Sequence, residues 1–141
     1  MVRISGSMHS PPSGESPSDA ERKFSGGPCH DLTRIKDLAK SHGAEALRLV
    51  TNRCSKSVAS HELDLEDIVG MVLDLQANRF KGSEWCKASH KSPWFKCDAY
   101  VVTFEGENSD TGYSFEVEYY LKLHLKETQC QGPILIFSLH L

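Results

Sequence analysis

Residues 113–126, YSFEVEYYLKLHLK, alternate without a break. Phe115, Val117, Tyr119, Leu121, Leu123 and Leu125 take one side. Glu116, Glu118, Tyr120, Lys122, His124 and Lys126 take the other, which is the period of two that a half-buried strand imposes. Upstream, Asp98–Glu105 (DAYVVTFE) reads as a strand, separated from the first by the turn-rich ENSDTG. Downstream, beyond a loop around Gln129–Gly132, PILIFSLHL closes the chain. There Leu135, Phe137, Leu139 and Leu141 are expected on one side and Ile134, Ile136, Ser138 and His140 on the other.

Toward the N-terminus the period changes to that of helices. Asp64 and Asp67 form a capping-box pattern before LEDIVGMVLDLQ, in which Ile68, Met71, Val72 and Leu75 recur at helical spacing, predicting a helix to about Gln76. A short helix is expected around Ser55–His61 and a brief strand at Leu47–Val50. Asp31 caps a first helix with Leu32, Ile35, Leu38 and Ala39 on one face and Gly43 at its end. Helices first and an antiparallel sheet last predict an α+β fold, the N-terminal helices packed on a C-terminal sheet.

Residues 1–28 are dominated by Ser, Gly and Pro and offer little to bury, so they are expected to be a disordered tail ahead of one domain over 29–141. The tail lacks the apolar centre of a secretory signal. The net charge of −3 falls in residues 29–141, which rules out a strongly basic protein and confines any polyanion site to a local patch. Five cysteines at irregular spacing do not make a disulfide framework and point to a reduced, cytoplasmic compartment. No apolar run approaches the ~18 residues of a membrane helix, so no membrane partner is expected.

The patch is at 79–100, RFKGSEWCKASHKSPWFKCDAY. Arg79, Lys81, Lys87, Lys91 and Lys96 interleave there with Phe80, Trp85, Trp94, Phe95 and Tyr100. Cations neutralise phosphates and aromatic faces stack on unpaired bases, so the pattern suits single-stranded nucleic acid. It equally suits a solvated basic loop whose aromatics anchor it to the core. Cys86, His90 and Cys97, with three and six residues between them, lack the close cysteine pair of a zinc site, and no metal or cofactor is expected.

In order and spacing the chain from about His30 onward resembles the MqsR-type toxins of bacterial toxin–antitoxin systems. The resemblance rests on the helix opening His30-Asp31-Leu32-Thr33-Arg34-Ile35, the ungapped Arg53–Phe80, and Phe80-Lys81, His90, Trp94 and Asp98-Ala99-Tyr100. It continues in Tyr120-Leu121-Lys122-Leu123 and Leu135-Ile136-Phe137-Ser138-Leu139-His140. It implies a RelE-like fold and an endoribonuclease that cleaves single-stranded messenger RNA through its 2′-hydroxyl and is held by a cognate antitoxin. It places a loop lysine (Lys81, or Lys87 with a shifted gap), Tyr120 and His140 at the catalytic site. The implied roles are phosphate contact for Lys81, hydrogen bonding or proton donation for Tyr120, and proton transfer for His140. Lys87, Lys91, Lys96, Tyr100 and Lys122 are the expected RNA contacts. The chain departs from the family in its acidic balance, in one residue lost after Phe80, in Phe95 where the family has Gln, and in His140 where it has Lys. Those departures motivate the alternative of a catalytically inactive relative that binds protein or RNA.

Overall fold

A computed structural model of the chain describes residues 10–13, 17–107, 110–126 and 132–141. They form an α+β fold of helices α1 (Asp19–Arg22), α2 (Leu32–His42), α3 (Asn52–Ser60) and α4 (Leu65–Leu73), with strands β1 (Lys23–Phe24), β2 (Leu47–Leu49), β3 (Phe80–Lys87), β4 (Trp94–Glu107), β5 (Ser114–Leu125) and β6 (Ile134–His140). One sheet holds all six strands in the order β1-β3-β4-β5-β6-β2. Only the β2–β6 pair is parallel. No helix among the described residues is long and apolar enough to cross a membrane.

Each longer helix starts where a side chain satisfies its orphan amides. The Asp31 carboxylate accepts from Thr33 N and Arg34 N, and Thr51 Oγ1 accepts from Cys54 N at 3.0 Å. Asp64 and Asp67 cap each other's backbone N–H groups at 2.8 and 3.0 Å, the reciprocal box expected from their spacing. α2 stops at Gly43, whose φ of 58° only glycine adopts readily. α4 ends at Leu73, short of the expected Gln76; Leu75 still fills the core, and Lys36 Nζ holds its carbonyl at 2.8 Å.

Helices α2, α3 and α4 cover one sheet face. Ile35, Ile68, Met71 and Val72 meet Tyr100, Val102, Leu121, Leu123 and Ile136 in the main core. The alternation of β5 holds from Tyr119 to Leu125, but Phe115 stands exposed at the hairpin end.

β6 corrects the expected alternation. Leu123 pairs with Ile136 and Lys122 with Ser138, so Phe137 is the extra residue of a bulge. The phase flips there: Ile134, Ile136 and Leu139 face the helices, while Leu135 and Phe137 join Cys86 and Cys97 in a second, smaller cluster.

Residues 79–100 are also not a loop. They form β3, the turn 88–93 and the start of β4, with a bulge between Phe80 and Gly82. Ser83, Glu84, Trp85 and Cys86 are buried in succession because both faces of β3 are covered, so no period of two is visible.

Order also begins before residue 29. β1 pairs with β3, Lys23 opposite Glu84 and Phe24 opposite Ser83. The Asp98 carboxylate, wholly buried, accepts from Cys29 N (2.9 and 3.0 Å), His30 N (2.9 Å) and Ser83 Oγ (2.7 Å). Gly27 passes so close that an added Cβ would collide with Ser83 Oγ and Phe80. Hydrogen bonds to a buried carboxylate, with the β1 pairing and the Phe24–Trp85 contact, hold this segment, and composition does not report them.

Candidate functional site

The sheet face away from the helices carries the polar side chains of β5. Tyr120 lies directly opposite His140, and their rings stack at 5.2 Å between centroids with 21° between planes. His140 is exposed and its Nδ1 donates to the Leu141 main-chain oxygen at 3.0 Å, which leaves Nε2 as the ring nitrogen open to a ligand. Burial raises the Tyr120 pKa; Lys122 opposes the shift and Glu84 adds to it. The phenol therefore stays protonated near neutrality and can donate a hydrogen bond.

Lys122 sits beside this pair, its Nζ 5.8 Å from the Tyr120 ring centroid. It is tied to Glu84 Oε1 at 2.9 Å, while Arg22 Nη1 reaches Glu84 Oε2 at 3.0 Å. The Glu84 carboxylate is nearly sealed and so acts as a fixed counter-charge for both. Next to it Cys97, pushed up chiefly by burial, donates a hydrogen bond to Cys86, and that bond lowers the Cys86 thiol.

The other expected site residues divide. Lys81 is exposed at the β3 bulge, at the level of the sheet where Ala99 pairs with both Gly82 and Lys122. Two strand spacings, about 10 Å, separate it from β5. Lys87 is at the far end of β3, roughly 20 Å along the strand; its Nζ lies 4.8 Å over the Trp94 ring and 3.5 Å from the His90 carbonyl. Both lysines belong to a strand rather than a loop. Of the two, only Lys81 is level with Tyr120. Lys91 is exposed in the turn. Lys96 lies 5.4 Å from the Trp85 ring and 5.9 Å from Phe24.

Tyr100 does not contact solvent. It is 1% exposed on the helix side, packed on Phe80, and its hydroxyl is pushed up to about 12 by burial, with Asp98 adding. Its expected role as an RNA contact is therefore withdrawn. Lys122 belongs with Tyr120 and His140 rather than with the distal cations.

Two histidines not expected as site residues meet at the end of this sheet. His30 Nε2 and His124 Nδ1 both donate to the Lys96 carbonyl at 2.8 Å, with the rings edge-on at 4.6 Å. Burial lowers the His124 pKa, so its ring is kept neutral. The alternation of β5 does place His124 on the face of Tyr120 and Lys122. Nothing in the sequence signals that His30 reaches it.

Among the described residues no three His, Cys, Asp or Glu side chains gather as a metal site; Cys86 and Cys97 are neighbours across β3 and β4, and His90 is in the turn. What the face does offer is a neutral phenol, an imidazole with an open nitrogen and a lysine, on adjacent strands and within one phosphate's reach. Comparison of the chain with protein-family models, with curated proteins and with solved structures finds no match.

Proposed function

We propose that the chain is an MqsR-like, RelE-fold endoribonuclease acting on single-stranded messenger RNA, and that a cognate antitoxin restrains it. The observation that carries this reading is the stacked Tyr120–His140 pair beside Lys122 on a sheet face the helices leave uncovered. In the reaction, the ribose 2′-oxygen attacks the adjacent phosphorus and the 5′-oxygen leaves. The products are a 2′,3′-cyclic phosphate and a free 5′-hydroxyl. His140 Nε2 takes the proton from the 2′-hydroxyl as the new O–P bond forms, and the leaving 5′-oxygen receives a proton from the imidazolium or from water as its P–O bond breaks. The Tyr120 hydroxyl donates to a phosphoryl oxygen, and Lys122 and Lys81 bring positive charge to the phosphorane from either side.

The test is incubation of the protein with a single-stranded RNA pool in EDTA, with sequencing of the cleavage ends. Cyclic phosphate ends and at least ~100-fold slower cutting by His140→Ala are expected, since a positioned proton carrier contributes about that much or more. RNA left intact across all sequences overturns the reading.

A binding-only role has its own support in two features. Glu84 neutralises Lys122, the cation nearest Tyr120. In addition, β3 pairs with β4 only as far as Tyr100, so the edge of Val101–Glu107 on that side is open and faces a groove of about 690 Å³ walled by α4. An extended partner segment, the antitoxin's included, can add there as a strand. Full RNA affinity without cleavage, unchanged in His140→Ala, decides for this role.

A further inference from the structure

At the end of the sheet where His124 stands, a pocket of about 490 Å³ opens between the β3–β4 hairpin and residues 24–30. Its walls are largely aromatic, with Phe24, Trp85, Trp94 and Phe95, and its polar groups include His30, His124 and Lys96 beside Ser25 and Cys29. A concave aromatic site with a few converging polar groups is the ordinary form of a ligand pocket. The volume is ample for one planar base together with its sugar.

Three observations narrow the ligand. First, the two imidazoles each spend one N–H on the Lys96 carbonyl, which leaves His30 Nδ1 and His124 Nε2 as the second nitrogens facing outward, the His124 one an acceptor on a ring that burial keeps neutral. Second, the cations at the site lie over aromatic rings, Lys87 over Trp94 and Lys96 over Trp85, so positive charge and stacking surface come together. Third, the pocket lies at the end of the sheet and borders the candidate face through His124 and Phe95, while Trp85, Trp94 and Lys96 alternate onto the other side, so a strand reaching it turns around the sheet end. His124 and Tyr120 lie on the same face of β5, four residues or about 13 Å apart, with Lys122 midway.

From these features we infer that the pocket is a subsite for one unpaired nucleobase of an RNA strand running along β5, a few nucleotides from the bond presented to Tyr120 and His140. The inference rests on the ribonuclease reading for the strand's path, though not for the pocket's chemistry. Imidazole acceptors match ring N–H and exocyclic amino groups, and aromatic walls accept any base face. A base held in a duplex cannot enter. The pocket thus restricts the protein to single strands and biases which sequence is brought to the reacting phosphate.

Both tryptophans of the protein line this pocket, so their fluorescence reports on it directly. The experiment titrates the full chain with short 2′-O-methyl RNA, which binds but lacks the attacking hydroxyl. The expected result is saturable quenching by the single strand and none by the same sequence as a duplex. Trp94→Ala, still reporting through Trp85, is expected to bind about tenfold more weakly, the size of one lost base stack. Trp94→Phe, which keeps an aromatic face, should restore most of the affinity and separates stacking from folding. Fluorescence unchanged at RNA concentrations where unmodified RNA is cut overturns the pocket and leaves the nuclease standing. Quenching equal for duplex and single strand also overturns it. Saturable single-strand quenching with unmodified RNA left intact supports the pocket and removes the nuclease.

Discussion

Substituting Glu84→Gln tests whether the uncovered sheet face meets RNA. The carboxylate accepts Lys122 Nζ at 2.9 Å and Arg22 Nη1 at 3.0 Å and is itself 5% exposed. Glutamine keeps the shape and one acceptor oxygen but removes the charge. Breaking a fully buried pair costs about 3–5 kcal/mol because a charge is stranded. Here the cations are 18% and 25% exposed and can turn to water. The loss therefore moves toward the surface value, to about 1–2 kcal/mol of stability. On the RNA side the same change releases Lys122 beside Tyr120. One added phosphate contact steepens the dependence of log K on log salt by about 0.7 for a single strand. The assays are urea unfolding and fluorescence anisotropy of labelled 2′-O-methyl RNA over a series of KCl concentrations. A variant that unfolds as expected but keeps the wild-type affinity and salt slope refutes the reasoning, because a cation released on an RNA face must be felt by RNA.

Two further outcomes follow from the same contacts. Asp98→Asn should lower stability by about 2–4 kcal/mol, because an amide cannot replace an anion accepting from Cys29 N, His30 N and Ser83 Oγ; amide exchange at residues 29–30 should accelerate, and a loss below ~1 kcal/mol contradicts the account. His124, whose pKa is lowered in the fold by burial, binds its proton more readily when unfolded. The stability it supports is present above the unfolded pKa near 6.5 and is lost as pH falls below it. Urea midpoints measured between pH 8 and pH 5 should fall less steeply in His124→Gln, and parallel profiles count against the assignment.

The helix caps were legible because they are local: Asp31, Asp64 and Asp67 act within three residues of themselves. β5 was legible because one of its faces is buried and the other is not. β3 failed that test, with Glu84 and Trp85 buried on opposite sides, and so it read as a loop. The β6 bulge left no mark, because Phe137 adds an apolar residue among apolar neighbours. Tyr100 is a different kind of miss. Its period with Val102 and Phe104 already places it on the core face of β4, although basic residues surround it in the sequence. His140 was grouped with Ile134 and Ile136, which the bulge overturns. The same bulge sets its register: the Leu123–Ile136 pairing continued without it would bring Leu139 opposite Tyr120, and the extra Phe137 brings His140 there instead.

The acidic total of −3 argues less against a polyanion site than it first suggests, because the charge is segregated along β5. The alternating positions run Glu116, Glu118, Tyr120, Lys122, His124, with acids before the tyrosine and cationic or imidazole groups after it. Across the sheet the division is partial, since Arg79 pairs with Glu118 at 2.9 Å and Glu84 with Lys122. Glu105 pairs with Glu116 at the hairpin end, while Lys87, Lys91 and Lys96 gather at the other. Like charges directly opposite one another are destabilising in a ladder, so the Glu105–Glu116 pairing is not explained by strand stability. On the proposed reading a strand of phosphates would be drawn to the lysine end, and the stacked pair would lie near the boundary with the Glu105–Glu116 end. Arranged this way, the acids would fix where along the sheet a phosphate stops, which a uniformly basic face would leave undefined.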